Sequence, residues 1–240
     1  MQRRKRIALY GGTFDPVHAG HTAVARNLLG LFSLDEVLFI PAHVAPHKRG
    51  RAVSPAFDRH AMLALATQAD ARLKVSTAEL DAPGRPYTVE TLSAFGESLG
   101  EGARLFFVMG ADSWEEITTW REWERVLTLA DHLVVTRPGY ELPTGHVTQA
   151  VRERVVDLQG ADAGRAEAAL AGPGRRVYLT DVARVNLSAT DVRRAVREGA
   201  GRRELEALVG PAVADYIVKY GLYREADETS FTDAGNKQTH

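Results

Sequence analysis

Short apolar runs alternate with longer amphipathic stretches through the first 138 residues of the chain. Residues 7–10 (IALY) are apolar and end at Gly11-Gly12, which predicts a short buried strand. Val24, Leu28, Leu29 and Phe32 then recur at helical spacing, so 22–32 is predicted as a helix. A second strand is predicted over 36–41 (EVLFIP), followed by a Pro/His/Lys/Arg loop over 42–53. Ser54 reads as an N-cap, with Pro55 at the first helical position of a helix reaching about residue 68. Further strands are predicted over 73–77, 104–109 and 132–136, the last stopped by Pro138. Between them lie a helix over 87–99 and one or two helices over 112–129.

Strand and helix thus alternate four times, which argues for an α/β fold with a parallel sheet covered on both faces. Ligands bind such sheets beyond the carboxyl ends of the strands. The polar punctuation falls there, at 11–21, 41–51 and 110–112. Past Pro138 the pattern weakens. The stretch 160–174 is rich in Ala, Gly and Arg with few large apolar residues, and reads as a surface insertion. A sixth strand is predicted over 177–179, and short helices over 190–197, 203–209 and 211–220. Residues 225–240 are polar and read as a frayed or disordered tail.

Composition narrows the chemistry. The 240 residues fit one large domain, or a domain with a small appendage. A formal net charge of -1 gives no global field for nucleic acid or an anionic membrane, so any anion site is local. With no cysteine, thiolate nucleophiles and cysteine-ligated metals are excluded. No run approaches the roughly 18 apolar residues of a membrane span. The apolar stretch after the basic start is too short for a signal sequence, so a cytoplasmic protein is expected.

Five stretches could carry chemistry. In 11–21 the two glycines admit close approach of a ligand, and the helix behind offers free N–H groups and a positive dipole end. His18 and His21 stand at i and i+3 on its opening turn, on one side. They could contact phosphate, cap and pack the turn, or form half of a metal site, although no third ligand is apparent. In "PAHVAPHK" (41–48), Lys48 is one of only 5 lysines beside 25 arginines, and an ammonium suits a polyphosphate. In "NLSATDVRRAV" (186–196), Ser188 and Asp191 fit a capping box, while Ser188, Thr190 and Arg193 gather at a helix start that could hold anions. In 107–123, Gly110 allows close approach, Asp112 could bind a ribose hydroxyl, and Trp114, Trp120 and Trp123 serve either packing or ring stacking. In "RPYTVETL" (85–92), Tyr87 or Thr88 caps a helix or reaches a ligand.

Gly11-Gly12-Thr13-Phe14-Asp15-Pro16-x-His18-x-Gly20-His21 resembles the signature of the nucleotidylyltransferase superfamily. Pro46-His47-Lys48, Tyr87-Thr88, 110–113 with Trp120, and 188–193 follow in order, so that the chain to about Tyr223 resembles bacterial nicotinate-nucleotide adenylyltransferases. The resemblance implies a Rossmann-like, doubly wound domain over 1–185 and C-terminal helices over 186–224 that complete an ATP site. It implies transfer of the adenylyl group of ATP to nicotinate mononucleotide, giving deamido-NAD and pyrophosphate. Gly11, Gly12, Thr13 and Phe14 would hold phosphate and adenosine, and His18 and His21 the α/β-phosphoryl charge. Lys48 would reach the phosphates, and Ser188, Thr190 and Arg193 the ATP tail. Thr88 and Trp120, with Gly110 and Asp112 close by, would meet the mononucleotide, with Arg137 a further candidate on that side. Magnesium would travel with the triphosphate rather than in a protein cage. No nucleic-acid or membrane partner is implied, and a homo-oligomer is possible. Other acceptors (nicotinamide mononucleotide, phosphopantetheine) and a nucleotide-binding module without turnover are the competing readings.

Overall fold

The computed structural model describes residues 3–43 and 53–224. Lys48, His47 and Pro46, and the stretch 225–240, lie outside the described residues. Along the chain run β1 (Lys5–Gly12), α1 (Ala19–Leu31), β2 (Glu36–Pro41), α2 (Ala56–Thr67), β3 (Leu73–Val75) and α3 (Thr88–Leu99). Then come β4 (Ala103–Gly110), α4 (Ala111–Glu115), α5 (Trp123–Leu129), β5 (Asp131–Val135), α6 (Gln149–Arg152), β6 (Val155–Asp157), α7 (Ala163–Leu170) and β7 (Val177–Thr180). The helices α8 (Ala189–Arg197), α9 (Arg202–Val209) and α10 (Pro211–Lys219) follow.

The strands form one parallel sheet in the order β3-β2-β1-β4-β5-β7-β6. Strand order reverses at β1, so β1 and β4 are neighbours whose following helices leave in opposite directions. The period-2 alternation of the strands feeds two cores. Ala8, Tyr10, Phe106 and Val108 pack with α1, α7 and the C-terminal helices. Ile7, Leu9, Leu105, Phe107 and Met109 pack with α3 and α5. This is the doubly wound, Rossmann-like architecture, with a cleft at the carboxyl ends of β1 and β4.

The chain departs from its sequence pattern in three places. Ser54 is not the N-cap of α2; Pro55 takes that position because Ser54 is held by its backbone, its N–H reaching Asp15 Oδ2 and its carbonyl accepting from Arg59 Nε at 3.1 Å. A short edge strand, β6, lies where no strand was expected; it has two half-buried valines and the exposed Asp157, too little for an apolar run. The stretch 160–174, expected as a surface insertion, is part of the fold. It holds α7, the crossover between the parallel neighbours β6 and β7, not a surface insertion.

Asp162 caps α7 by accepting from the Arg165 N–H at 2.8 Å, and Ala166 and Leu170 are buried in the core beside α1. A helix that packs through alanines contributes little apolar signal, yet lies close to its neighbour. Leu170 is 4% exposed, so Leu170→Ala should cost about 3 kcal/mol of stability in urea unfolding. A true surface position would lose less than about 0.5 kcal/mol.

Candidate active site

The end of β1 is shaped by aromatic packing. A Cβ on Gly12 would stand 2.8 Å from the Phe14 ring, and one on Gly11 3.3 Å from Phe107. Phe14 adopts φ 50°, a left-handed turn unusual for a phenylalanine, and buries its ring against Tyr10, Phe39 and His21. The glycines are therefore required by a ring inside the protein as well as by any ligand outside it. Both line the cleft.

Arg59, on α2, fastens this turn to the next loop. Its side chain is 1% exposed. Nη1 donates to the Thr13 carbonyl at 2.7 Å, and Nη2 to the carbonyls of Ala42 at 2.8 Å and His43 at 3.2 Å. One guanidinium thus fixes the turn after β1, the loop after β2 and the start of α2. Nothing in the sequence singled it out.

His18 occupies the N-cap position of α1 in extended geometry. Its backbone N–H donates to His21 Nδ1 at 3.2 Å, so neutral His21 carries its proton on Nε2. The two rings stack with centroids 3.7 Å apart. Gly20 makes room, since a Cβ there would lie 3.0 Å from the His18 ring. Burial lowers the His18 pKa to about 4, with Asp191 opposing. Burial and then the neighbouring His18 hold His21 well below its usual range. At neutral pH the pair is uncharged and presents N–H donors rather than a fixed dication.

The helix start at 188–193 reaches the same turn. Ser188 and Asp191 form a reciprocal cap: the Ser188 N–H donates to Asp191 Oδ2 at 3.0 Å, and the Asp191 N–H to Ser188 Oγ at 3.2 Å. Arg193 Nη2 donates to Thr190 Oγ1 at 3.1 Å, and its Nη1 to the Asp15 carbonyl. Tyr223 closes the link by donating to Asp15 Oδ1 at 2.8 Å. Residues from opposite ends of the chain therefore meet beside His18.

On the other side lies a cavity of about 270 Å³ between β1, β4 and α3. Thr88, Gly110 and Trp120 line it together with Gly11, Gly12 and Thr13. Trp120 Nε1 and His43 Nδ1 are buried there without a partner among the described residues. Tyr87 takes the N-cap position of α3, its N–H donating to Glu90 Oε2 at 2.9 Å, which leaves Thr88 on the first turn at the cavity wall. Burial raises the pKa of Glu79, which accepts from Thr91 at 2.8 Å. Arg85 and Arg121 also line the space, Arg121 lying 4.8 Å over the Tyr87 ring.

Not every predicted residue joins this group. Asp112 and Arg137 are exposed and off the cavity wall. Ser113 takes the lining position instead, since one residue along α4 turns the side chain by about 100°. Trp114 is fully buried, with Nε1 donating to the Pro143 carbonyl at 2.8 Å, and serves packing. Among the described residues, no three His, Asp or Glu side chains are grouped to hold a metal ion. No described helix is long and apolar enough to cross a membrane.

Protonation supplies a test. The fold holds His18 near 4 whereas the unfolded chain binds its proton near 6.5, so lowering the pH favours the unfolded state. Stability from this group is complete above pH 6.5 and is lost as pH falls toward 4. Histidine NMR of the free protein should show no His18 midpoint near 6.5; a midpoint there contradicts this electrostatic picture.

Residues 9–195 match the cytidylyltransferase-like family. A probable nicotinate-nucleotide adenylyltransferase of Desulfatibacillum aliphaticivorans is 36% identical over 220 residues, 91% of this chain and 99% of its own. One from Corynebacterium jeikeium is 38% identical over 213 residues, covering 89% and 98%. Among solved structures, Plasmodium falciparum nicotinic acid mononucleotide adenylyltransferase complexed with NaAD superposes with a TM-score of 0.65 at 17% identity, covering 91% of this chain and 97% of that one. Signature turn, parallel sheet and sequence relatives agree: the chain belongs to the cytidylyltransferase-like family, among the nicotinate-nucleotide adenylyltransferases.

Proposed function

We propose that the protein joins ATP to nicotinate mononucleotide. A 5′-phosphate oxygen of the mononucleotide attacks the α-phosphorus of ATP, the bond to the β-phosphate oxygen breaks, and pyrophosphate leaves with deamido-NAD as product. The observation that carries this reading is the neutral His18–His21 stack between two unlike spaces: a cationic helix start on one side and an aromatic-walled cavity on the other.

Each residue has a task of holding rather than bonding. Backbone groups of Gly11, Gly12, Thr13 and Phe14 would lie against phosphate and adenosine. His18 and His21 would donate to the α-phosphoryl oxygens as charge builds. Ser188, Thr190 and Arg193, on the C-terminal helices 186–224, would receive the β- and γ-phosphates, and Lys48 would meet the phosphates from the loop after β2. Ser188 and Arg193 are already tied to Asp191 and Asp15, which orients them before ATP arrives. Thr88 and Trp120 would contact the nicotinate ring. The guanidinium groups of Arg85 and Arg121 and the positive end of α3 favour the acid over the amide. Magnesium would enter on ATP, bound by phosphate oxygens and water, and would offset charge on the leaving pyrophosphate. A supply of ATP and mononucleotide sets this work in the cytoplasm.

Pyrophosphate release tests the reading. His21→Ala should lower kcat by at least about 10²-fold, the usual cost of one transition-state donor. Activity within a few-fold of wild type would overturn the role given to His21. In the same assay kcat/KM should be highest for nicotinate mononucleotide, ahead of nicotinamide mononucleotide and phosphopantetheine. Equal values for acid and amide would remove the role given to Arg85 and Arg121.

A further inference from the structure

A second basic cavity lies at the opposite end of the sheet. It has a volume of about 410 Å³ and is lined by Arg3, Arg4, Arg6, Arg104 and Arg175, with Gly172 and Gly174. Among the described residues, no carboxylate lines it. Arg6 and Arg104 are register partners at the amino ends of β1 and β4. Arg6 and Gly11 are on the same strand, about 16 Å apart at the usual rise, so this cavity is separate from the adenylyl-transfer site.

The arginines are held in place from behind. Both Nη atoms of Arg6 donate to Glu167 at 2.6 Å, and Nη1 also to the Phe32 carbonyl. Arg104 forks onto buried Asp131 at 2.8 and 3.1 Å, and Arg175 meets the same carboxylate at 3.3 Å. Arg3 pairs with Asp35 at 2.7 Å. Three carboxylates thus stand against five guanidinium groups, leaving an excess of two positive charges. Arg4 is exposed and has no ion-pair partner among the described residues. The turn between α7 and β7 adds no side chain at Gly172 or Gly174. A Cβ on Gly172 would strike the Arg176 guanidinium at 2.7 Å, and Arg176 Nε is buried without a partner among the described residues.

We infer that this cavity is a second anion site, taking the di- or triphosphate group of a small molecule. Guanidinium groups held in place, with a net excess of positive charge and Arg4 unpaired among the described residues, suit phosphate oxygens. The five arginines are confined to one small patch, and the chain's net charge of -1 gives no wider field for a nucleic-acid strand, so a compact anion is the better match. The phosphate group could belong to a nucleotide or to inorganic polyphosphate. The inference does not depend on the proposed reaction.

Calorimetric titration with inorganic tripolyphosphate tests it, using the full chain and the double variant Arg4→Glu/Arg175→Gln. Neither residue belongs to the transfer machinery, so kcat and KM of the variant should stay within twofold of wild type, which also verifies folding. Wild type should bind one equivalent more than the variant, or bind the second equivalent at least tenfold more tightly. Equal stoichiometry and affinity in the two proteins would overturn the site. Arg193→Gln, titrated in parallel, should lose a different equivalent, so failure of the ATP-tail assignment is read separately. A second arm uses ATP in the Arg193→Gln background. Binding equal to that of tripolyphosphate supports a site for the phosphate chain alone, and tighter binding supports a nucleotide. A short RNA that binds there more tightly than either would overturn the assignment to a small anion.

Discussion

The Arg59 guanidinium sits almost wholly inside the protein, and all the hydrogen bonds it makes among the described residues go to backbone carbonyls. A buried cation must be satisfied where it lies, so the segments that supply those oxygens cannot move independently. They are the turn after β1, the loop after β2 and the residue before α2. With Thr13 held, Phe14 can take its left-handed turn and place its ring under Gly12 and against His21. The position of the histidines thus follows from a side chain that need not touch substrate.

The second fastening comes from the far end of the chain. Asp15 receives Arg193 on its carbonyl and Tyr223 on its carboxylate, so the C-terminal helices close over the same turn. Asp191, which caps α8, also opposes the loss of charge on His18. Burial nevertheless wins, and the stacked imidazoles remain neutral. A neutral pair can stand 3.7 Å apart without repulsion. It still offers N–H donors, which suits the proposed role of stabilising charge rather than forming a covalent intermediate.

How much of this the sequence carried depends on the type of signal. Apolar strand runs ended by Gly or Pro marked β1, β2, β4, β5 and the cleft, because strands buried on both faces read as continuous apolar blocks, and β3 showed only as a mixed run over 73–77. β7 showed as a shorter run, whereas β6 offered only two half-buried valines and an exposed aspartate. The helix α7 packs through alanine, which reads as surface. Helical register separated Ser113 from Asp112, which a motif alone cannot do. Arg59 was hidden because an arginine on a helix in a chain with 25 of them reads as solvated surface. Its role appears only when three loops converge on it. Arg121 and His43 were likewise hidden, since each lines the cavity only after distant strands are aligned.

Arg59 holds the signature turn through the Thr13 carbonyl. Arg59→Met keeps much of the length and apolar stem but removes every donor. Its steady-state kinetics, measured on protein shown to be folded by its near-UV circular dichroism, give the most direct test. Its kcat should fall at least about 10²-fold, as expected when reacting groups are misplaced by an ångström, with a smaller change in KM for ATP. Arg59→Lys, which restores a cation with its donors on a single nitrogen, should recover part of the loss. A folded Arg59→Met protein with kcat within threefold of wild type would contradict this positioning role.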